Sequence, residues 1–392
     1  MADRRNFIKN SGLALIPGIF PVIPALKTVY RPEESTAPAI NFVSDGEMLT
    51  PKEYIGNLAE IDKKSSIQAD SYGSGGPVEA LQKKFESITG KERAIYMPTG
   101  TMANQLAIAN LSGPNTKVFV QETSHVYRDE ADAAQSVHGK RLIPLATGEA
   151  AFTLNQLREA INYHNNGEVF KSGLGAVSIE NPVRRANGAQ VPLEEIKNIS
   201  VWCRENNLKL HLDGARLFLA SGYSGVTVKQ YASYFDTVYI SLYKYFGAAG
   251  GAILCGNAGI IDKMEHQIKI FGGTMYQSWP QAAMALLYSD GFEKRFKEAA
   301  EKGNQLFASL NQLSELKIIP VSNGTNIFQV KFSDGFSTKK FSETLNSRYG
   351  IILSGFVRDG LGRIAINESI LKRENSEILA AIKDSLQVAK LK

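Results

Sequence analysis

The chain has 392 residues, 43% of them hydrophobic and 21% charged, with a formal charge of +5. This composition excludes disorder, collagen and coiled coil, and the length suffices for two or three domains around a substantial core. Positive and negative residues are mixed without a long basic run, which argues against a nucleic-acid partner.

Residues 1–39 differ from the rest. Arg4, Arg5, Asn6, Phe7, Ile8 and Lys9 precede a mildly apolar stretch from Gly12 to Leu26, an order that resembles a bacterial twin-arginine export signal. The alternative is an irregular arm that carries two arginines. Pro17, Pro21 and Pro24 interrupt the apolar stretch, so it does not form the about 20 regular apolar residues that a spanning helix needs, and no stable membrane anchor is expected. Ala37-Pro38-Ala39 matches a small-residue cleavage pattern. The expectation is export to the periplasm, and a cytoplasmic location if the arm is not a signal.

From Asn41 onward, short apolar or β-branched runs alternate with helical patterns, as in parallel strands joined by crossover helices. The clearest strands are Lys117 to Gln121, Gly175 to Glu180, Lys209 to Asp213, Thr237 to Leu242 and Ala252 to Cys255. Thr153 and Gln156 make a capping box for a helix whose apolar face is Leu154, Leu157 and Ile161. A second helix starts at Pro192 and repeats Leu193, Ile196, Ser200 and Cys203 on one face. Cys203 and Cys255 read as buried free thiols, too few for a disulfide framework or a tetrahedral metal site. The fold class is α/β, with a large, mostly parallel sheet domain over residues 40–290. After Phe292 a long charged helix leads to strands at Asn326 to Phe332 and Arg363 to Ile366, a smaller α+β domain over residues 291–392.

Three segments carry chemistry. Lys244 follows an apolar strand and precedes the small residues Gly247 to Gly251. Ligands of open α/β sheets bind at the carboxyl ends of strands, so this lysine is placed to form a Schiff base with an aldehyde cofactor or, more blandly, to sit in solvent. Asp213 ends another strand within His211-Leu212-Asp213-Gly214-Ala215-Arg216, where a carboxylate can keep a pyridinium nitrogen protonated or cap the next helix. Pro98-Thr99-Gly100-Thr101 opens a helix whose N–H groups and hydroxyls suit a phosphate, or make an ordinary N-cap.

With these segments, Ser44-Asp45, DSYGSGGPVEALQ, MPTGTMANQ, Ser124-His125, IENP, VPLEEI, HLDGAR, SLYK and FGGTMYQ occur in one order from about Asn41 to the C-terminus. The chain thereby resembles the threonine aldolase and β-eliminating lyase family, enzymes with pyridoxal 5′-phosphate and the aspartate aminotransferase fold (type I). The resemblance implies Lys244 as the Schiff-base lysine, Asp213 as the pyridinium partner, and Thr99, Gly100 and Thr101 as the phosphate cradle. It implies His125 as the residue that stacks on the cofactor and moves a proton near the substrate β-hydroxyl. Ser44, Arg216 and Arg363 match positions that hold the substrate carboxylate, Arg216 also touching the cofactor. Lys269 matches a lysine that reaches a cofactor phosphate across a subunit interface, and Tyr72 and Asn181 line the site. Tyr72 and Lys269 would be contributions from a neighbour in a homotetramer or homodimer.

Two departures stand out. Asn181-Pro182-Val183 lacks a second histidine after the Glu-Asn pair, and Tyr276 replaces an arginine in the family's GGGMRQ. Arg184 and Arg185 either meet a polar substrate tail or lie on a solvated turn, the turn being the favoured reading. The resemblance implies cleavage of a β-hydroxy-α-amino acid, similar to threonine or allo-threonine, into glycine and an aldehyde. The competing readings are β-elimination or racemisation on the same cofactor, and a cofactor-free binding protein on the same fold.

Overall fold

The computed structural model describes residues 37–353 and 361–391. The leader-like segment with its arginine pair lies outside the described residues. The chain enters on a two-residue strand, β1 (Ile40–Asn41), and then builds the large sheet from β2 (Arg93–Met97), β3 (Lys117–Gln121), β4 (Arg141–Leu145), β5 (Leu174–Glu180), β6 (Lys209–Asp213), β7 (Thr237–Ser241) and β8 (Ala252–Gly256). Their order across the sheet is β2-β8-β7-β6-β5-β3-β4.

Six of these strands run parallel, and β8 runs against both of its neighbours. This corrects the expectation that the Ala252 strand joins through a crossover helix. Only the glycine-rich turn between Ser241 and Ala252 separates β7 from β8, too short for the dozen or more residues of a parallel crossover, so the chain doubles back. Both strands are buried along their whole length, as their continuous apolar runs require. The expected capping box at Thr153 and Gln156 forms, and its helix, Leu154–Asn166, buries Leu157 and Ile161. The helix Leu193–Glu205 buries Ile196, Ile199, Ser200 and Cys203.

The remaining strands are β9 (Leu316–Pro320), β10 (Ile327–Phe332), β11 (Ile351–Ile352) and β12 (Leu361–Ala365). β12, β10 and β9 form a three-stranded sheet, while β11 pairs in parallel with β1. Ile40 and Phe42 therefore pack into the C-terminal core with Phe307, Phe341 and Ile366 rather than with the large sheet that follows them. The 19-residue helix Phe292–Leu310 joins the two layers. Its first turns put Phe292 and Phe296 into the large core with Phe85, Phe218 and Phe246, and its last turns put Leu306, Phe307 and Leu310 into the small one. No helix among the described residues is long and apolar enough to cross a membrane.

Candidate active site

The parallel strands aim their carboxyl ends at one edge of the sheet, and the chemistry-bearing residues gather there. β6 ends at Asp213, β5 at Glu180, and the chain leaves β7 three residues before Lys244. β3 leads to the short helix His125–Arg128. β2 leads to Thr99, whose hydroxyl accepts from Met102 N at 3.2 Å and caps the helix Gly100–Ser112. That helix starts hard against the sheet: a Cβ on Gly100 would stand 2.0 Å from the Tyr239 hydroxyl oxygen, so only glycine fits. A cavity lined by Thr99, Thr101, His125, Glu130, Tyr239 and Lys244 occupies this edge, with a volume of about 390 Å³.

Behind the cavity lies a buried hydrogen-bond network centred on Asn104. Its Nδ2 donates to Glu130 Oε1 at 2.7 Å and to Asp213 Oδ2 at 3.0 Å. Asn104 Oδ1 lies 2.9 Å from His211 Nε2, whose other ring nitrogen lies 2.9 Å from Thr237 Oγ1. The Asp213 Oδ1 accepts from Ala215 N at 3.2 Å. Glu130 Oε1 also lies 2.9 Å from His125 Nδ1. Glu180 accepts from the backbone N–H of His125 at 2.7 Å and of Arg184 at 2.9 Å, pinning both segments to the end of β5. Ligand-type atoms of His125, Glu130 and Asp213 fall within 4.8 Å of one another; Asn104 and the imidazole engage Glu130 Oε1, and Asn104 and the Ala215 N–H engage the two Asp213 oxygens.

Burial and charge set the proton affinities. Burial, helped by the neighbouring Arg216 charge, pulls the Lys244 amine down to about 8 against the pull of Asp213, Asp45 and Glu180. Burial pushes Glu180 up to about 7, with Asp213 adding to it. Burial also raises Glu130 above the ordinary carboxylate range, and burial pulls His211 down to about 4. Burial opposes the charged form of His125 as well, but the Glu130 hydrogen bond and the charges of Asp213 and Glu130 outweigh it and raise the imidazole above its ordinary range.

The substrate-carboxylate candidates lie on the side facing the small layer. Arg216 Nε donates to Asp45 Oδ2 at 2.7 Å, both side chains nearly buried. The Ser44 hydroxyl donates to Gly46 O at 2.6 Å and accepts from Asn41 Nδ2. Asn367 Nδ2 donates to Asn41 O at 2.7 Å and Ser44 O at 2.8 Å, tying this segment to the C-terminal layer. On its other side Gly46 touches the backbone of the lysine segment, where a Cβ would lie 2.6 Å from Tyr245 Cα. Arg363 stands on the edge strand β12 opposite Gln329, its residue exposed, two positions before Ala365, whose N–H donates to Phe42 O at 2.8 Å.

Like Ser44, Arg216 and Arg363, the candidates Tyr72, Lys269 and Asn181 do not line the Lys244 cavity. Tyr72 and Lys269 meet each other instead, with the Lys269 amine 5.2 Å from the Tyr72 ring centroid. They line a separate cavity of about 670 Å³ with Tyr96, and the Tyr72 ring packs edge-on against Tyr276. Asn181 is buried, and its Oδ1 accepts from Val191 N at 2.9 Å, which makes it a brace for the chain after β5. Arg185 bonds Asp129 through Nε at 2.9 Å, and Arg184 stands 3.5 Å from the same carboxylate. Both arginines sit on the turn as expected, and the turn is held by an ion pair.

The donors fit a phosphorylated aldehyde with a basic ring nitrogen. The glycine-only approach at Gly100 opens the helix N-terminus, a lysine of reduced basicity faces the cavity, and the buried Asp213 carboxylate stands in the network behind it. Sequence reasoning missed Asn104, Glu130, His211 and Glu180. His211 shares a strand face with Asp213, two positions away, and that spacing was the one signal in the chain for it.

Residues 59–333 match the beta-eliminating lyase family. A low-specificity L-threonine aldolase of Candida albicans is 35% identical over 208 residues, which cover 53% of this chain and 55% of that protein, about half its length. A low specificity L-threonine aldolase of Saccharomyces cerevisiae is 27% identical over 336 residues, covering 85% of this chain and 84% of that protein. A solved structure of a putative aromatic amino acid beta-eliminating lyase/threonine aldolase from Exiguobacterium sp. 255-15 is similar with a TM-score of 0.74 at 25% identity, covering 89% of this chain and 97% of that one.

Proposed function

The chain belongs to the beta-eliminating lyase family, and from that premise we propose that it cleaves the Cα–Cβ bond of a β-hydroxy-α-amino acid such as threonine or allo-threonine, giving glycine and an aldehyde, with pyridoxal 5′-phosphate as cofactor. When bound, that cofactor supplies a protonated ring that draws electrons from Cα. Asp213 would hold the proton on the ring nitrogen, the N-terminus of the Gly100 helix with the Thr99 and Thr101 hydroxyls would hold the phosphate, and Lys244 would hold the aldehyde carbon. An amine lowered to about 8 has a usable neutral fraction near neutrality.

Arg216 and Ser44 orient the substrate carboxylate, and with it the bond to Cα that breaks. His125 takes the β-hydroxyl proton. The O–H electrons then become the carbonyl bond of the aldehyde, the Cα–Cβ electrons pass to Cα, and a returning proton completes glycine. The observation that carries this reading is that Lys244 and His125 line one strand-end cavity while the Asp213 carboxylate stands behind it, joined to His125 through Asn104 and Glu130.

The test is to reconstitute the purified protein with pyridoxal phosphate and assay glycine and aldehyde from L-threonine, L-allo-threonine, phenylserine and L-serine. Equal amounts of glycine and aldehyde, lost in Lys244→Ala, are expected. A keto acid with ammonia, or the opposite enantiomer, would transfer the protein to elimination or racemisation, and no cofactor absorbance after reconstitution would end the reading.

The same reading includes a homotetramer or homodimer in which Tyr72 and Lys269 face a neighbour, tested by sedimentation. It also includes export through residues 1–39, tested by fractionating cells that express the full chain and the Arg4→Lys, Arg5→Lys variant.

A further inference from the structure

We propose that Glu130 is the positioning residue of His125: it accepts the proton on Nδ1, so that Nε2 is the nitrogen offered to the cavity, and through Asn104 it links the imidazole to Asp213. This rests on the reading above for the reaction and on geometry for the pairing. His125 lines the cavity and no described residue bonds its Nε2, whereas Nδ1 lies 2.9 Å from Glu130 Oε1. A ring held through one nitrogen presents the other in a defined tautomer.

Glu130 is itself buried and held by Asn104 at 2.7 Å, and the same Asn104 amino group reaches Asp213 at 3.0 Å. Asn104 is held in that donor orientation because its Oδ1 faces His211 Nε2, while His211 Nδ1 faces the Thr237 hydroxyl. Burial keeps His211 neutral across the physiological range, so one nitrogen donates and the other accepts. The run from Thr237 to His125 thus fixes which atom donates at each link.

The charged groups around His125 come from every adjoining element. Glu130 and Asp129 follow it in the chain, Glu180 binds its backbone N–H from β5, Asp213 approaches from β6, and Lys244 from beyond β7. Of these, Glu130 is the one bonded to the ring.

Glu130→Gln keeps an oxygen acceptor for Nδ1–H and removes the charge, which separates position from proton affinity. Ring-¹⁵N NMR of the cofactor-free wild-type protein, with His125→Asn to assign the signal, should show the Nδ1–H tautomer and a titration above the ordinary imidazole range. In Glu130→Gln the titration should move to lower pH. In the reconstituted enzyme kcat should fall by roughly tenfold to a hundredfold, part of the about 10² to 10⁴ that a general base contributes. KM should stay within about twofold, and the acid limb of the kcat profile should move to lower pH, Glu130→Asp restoring its position. An Nε2–H tautomer in the wild-type protein, or an acid limb that Glu130→Gln leaves unmoved, would overturn the proposal. Absence of glycine from every substrate would instead sink the aldol reaction, with the NMR result still deciding the role of Glu130.

Discussion

At the scale of single residues, Lys244 shows how burial becomes reactivity. Its amine titrates near 8 because burial and the Arg216 charge both disfavour the ammonium form. The neutral amine is the nucleophile, so the rate at which the cofactor-free protein takes up pyridoxal phosphate should rise with pH through about 8. Arg216→Gln removes the repelling charge, and the midpoint of that rise should move upward; stopped-flow absorbance reads both.

His211 shifts in the same direction, and its shift bears on stability. Its pKa falls from 6.5 to about 4, so its contribution is complete above the unfolded value and is lost as pH falls through the folded one. The shift corresponds to roughly 3 kcal/mol. The melting temperature should therefore drop between pH 6.5 and 4, and less steeply in His211→Gln, whose amide can still donate to Asn104.

Lys244, Asp213 and His125 are legible in the chain because each ends a strand pattern or follows one. Asn104 was not, since its partners Glu130, His211 and Asp213 lie 26, 107 and 109 positions away. Only the strand order across the sheet brings them together.

At the scale of elements, legibility follows position in the sheet. Strands β3, β5, β6, β7 and β8, buried on both sides by neighbours, read as apolar runs. β2, β4 and β9 lie at sheet edges, where Arg93, Arg141, Pro144 and Pro320 dilute the pattern. An edge tolerates a proline because one row of its backbone groups has no partner to lose. The direction of β8 does not follow from its strand pattern, which carries no polarity, but from the short connection between Ser241 and Ala252.

The capping box is the converse case, local and readable. Thr153 Oγ1 accepts from Gln156 N at 3.2 Å while Gln156 Oε1 accepts from Thr153 N at 2.8 Å. Thr153→Ala should cost about 1 kcal/mol, measured by denaturant melts, with catalysis unchanged.

At the scale of the whole molecule, the two layers share one helix and one N-terminal segment. Phe292–Leu310 feeds both cores, and Phe42 closes the C-terminal core from the opposite end of the chain. Phe42→Ala opens a void in a fully buried site and should cost about 3 to 5 kcal/mol. Trp202 and Trp279 both belong to the large layer, so their fluorescence reports on a core that Phe42 never touches. The expected result is a lowered midpoint by tryptophan fluorescence that coincides with the one by far-UV circular dichroism. An unmoved fluorescence midpoint would show that the layers unfold separately.

The loop from Asn41 to Gly46 is gripped from two directions, by Asn367 on the C-terminal side and by the Lys244–Tyr245 backbone on the other. It cannot be treated as an interchangeable cassette. A graft of this loop from a relative, made to retune substrate preference, would need the recipient's Asn367 strand-end and the lysine turn as matching halves. Random libraries confined to the loop would mostly return misassembled chains rather than new specificities.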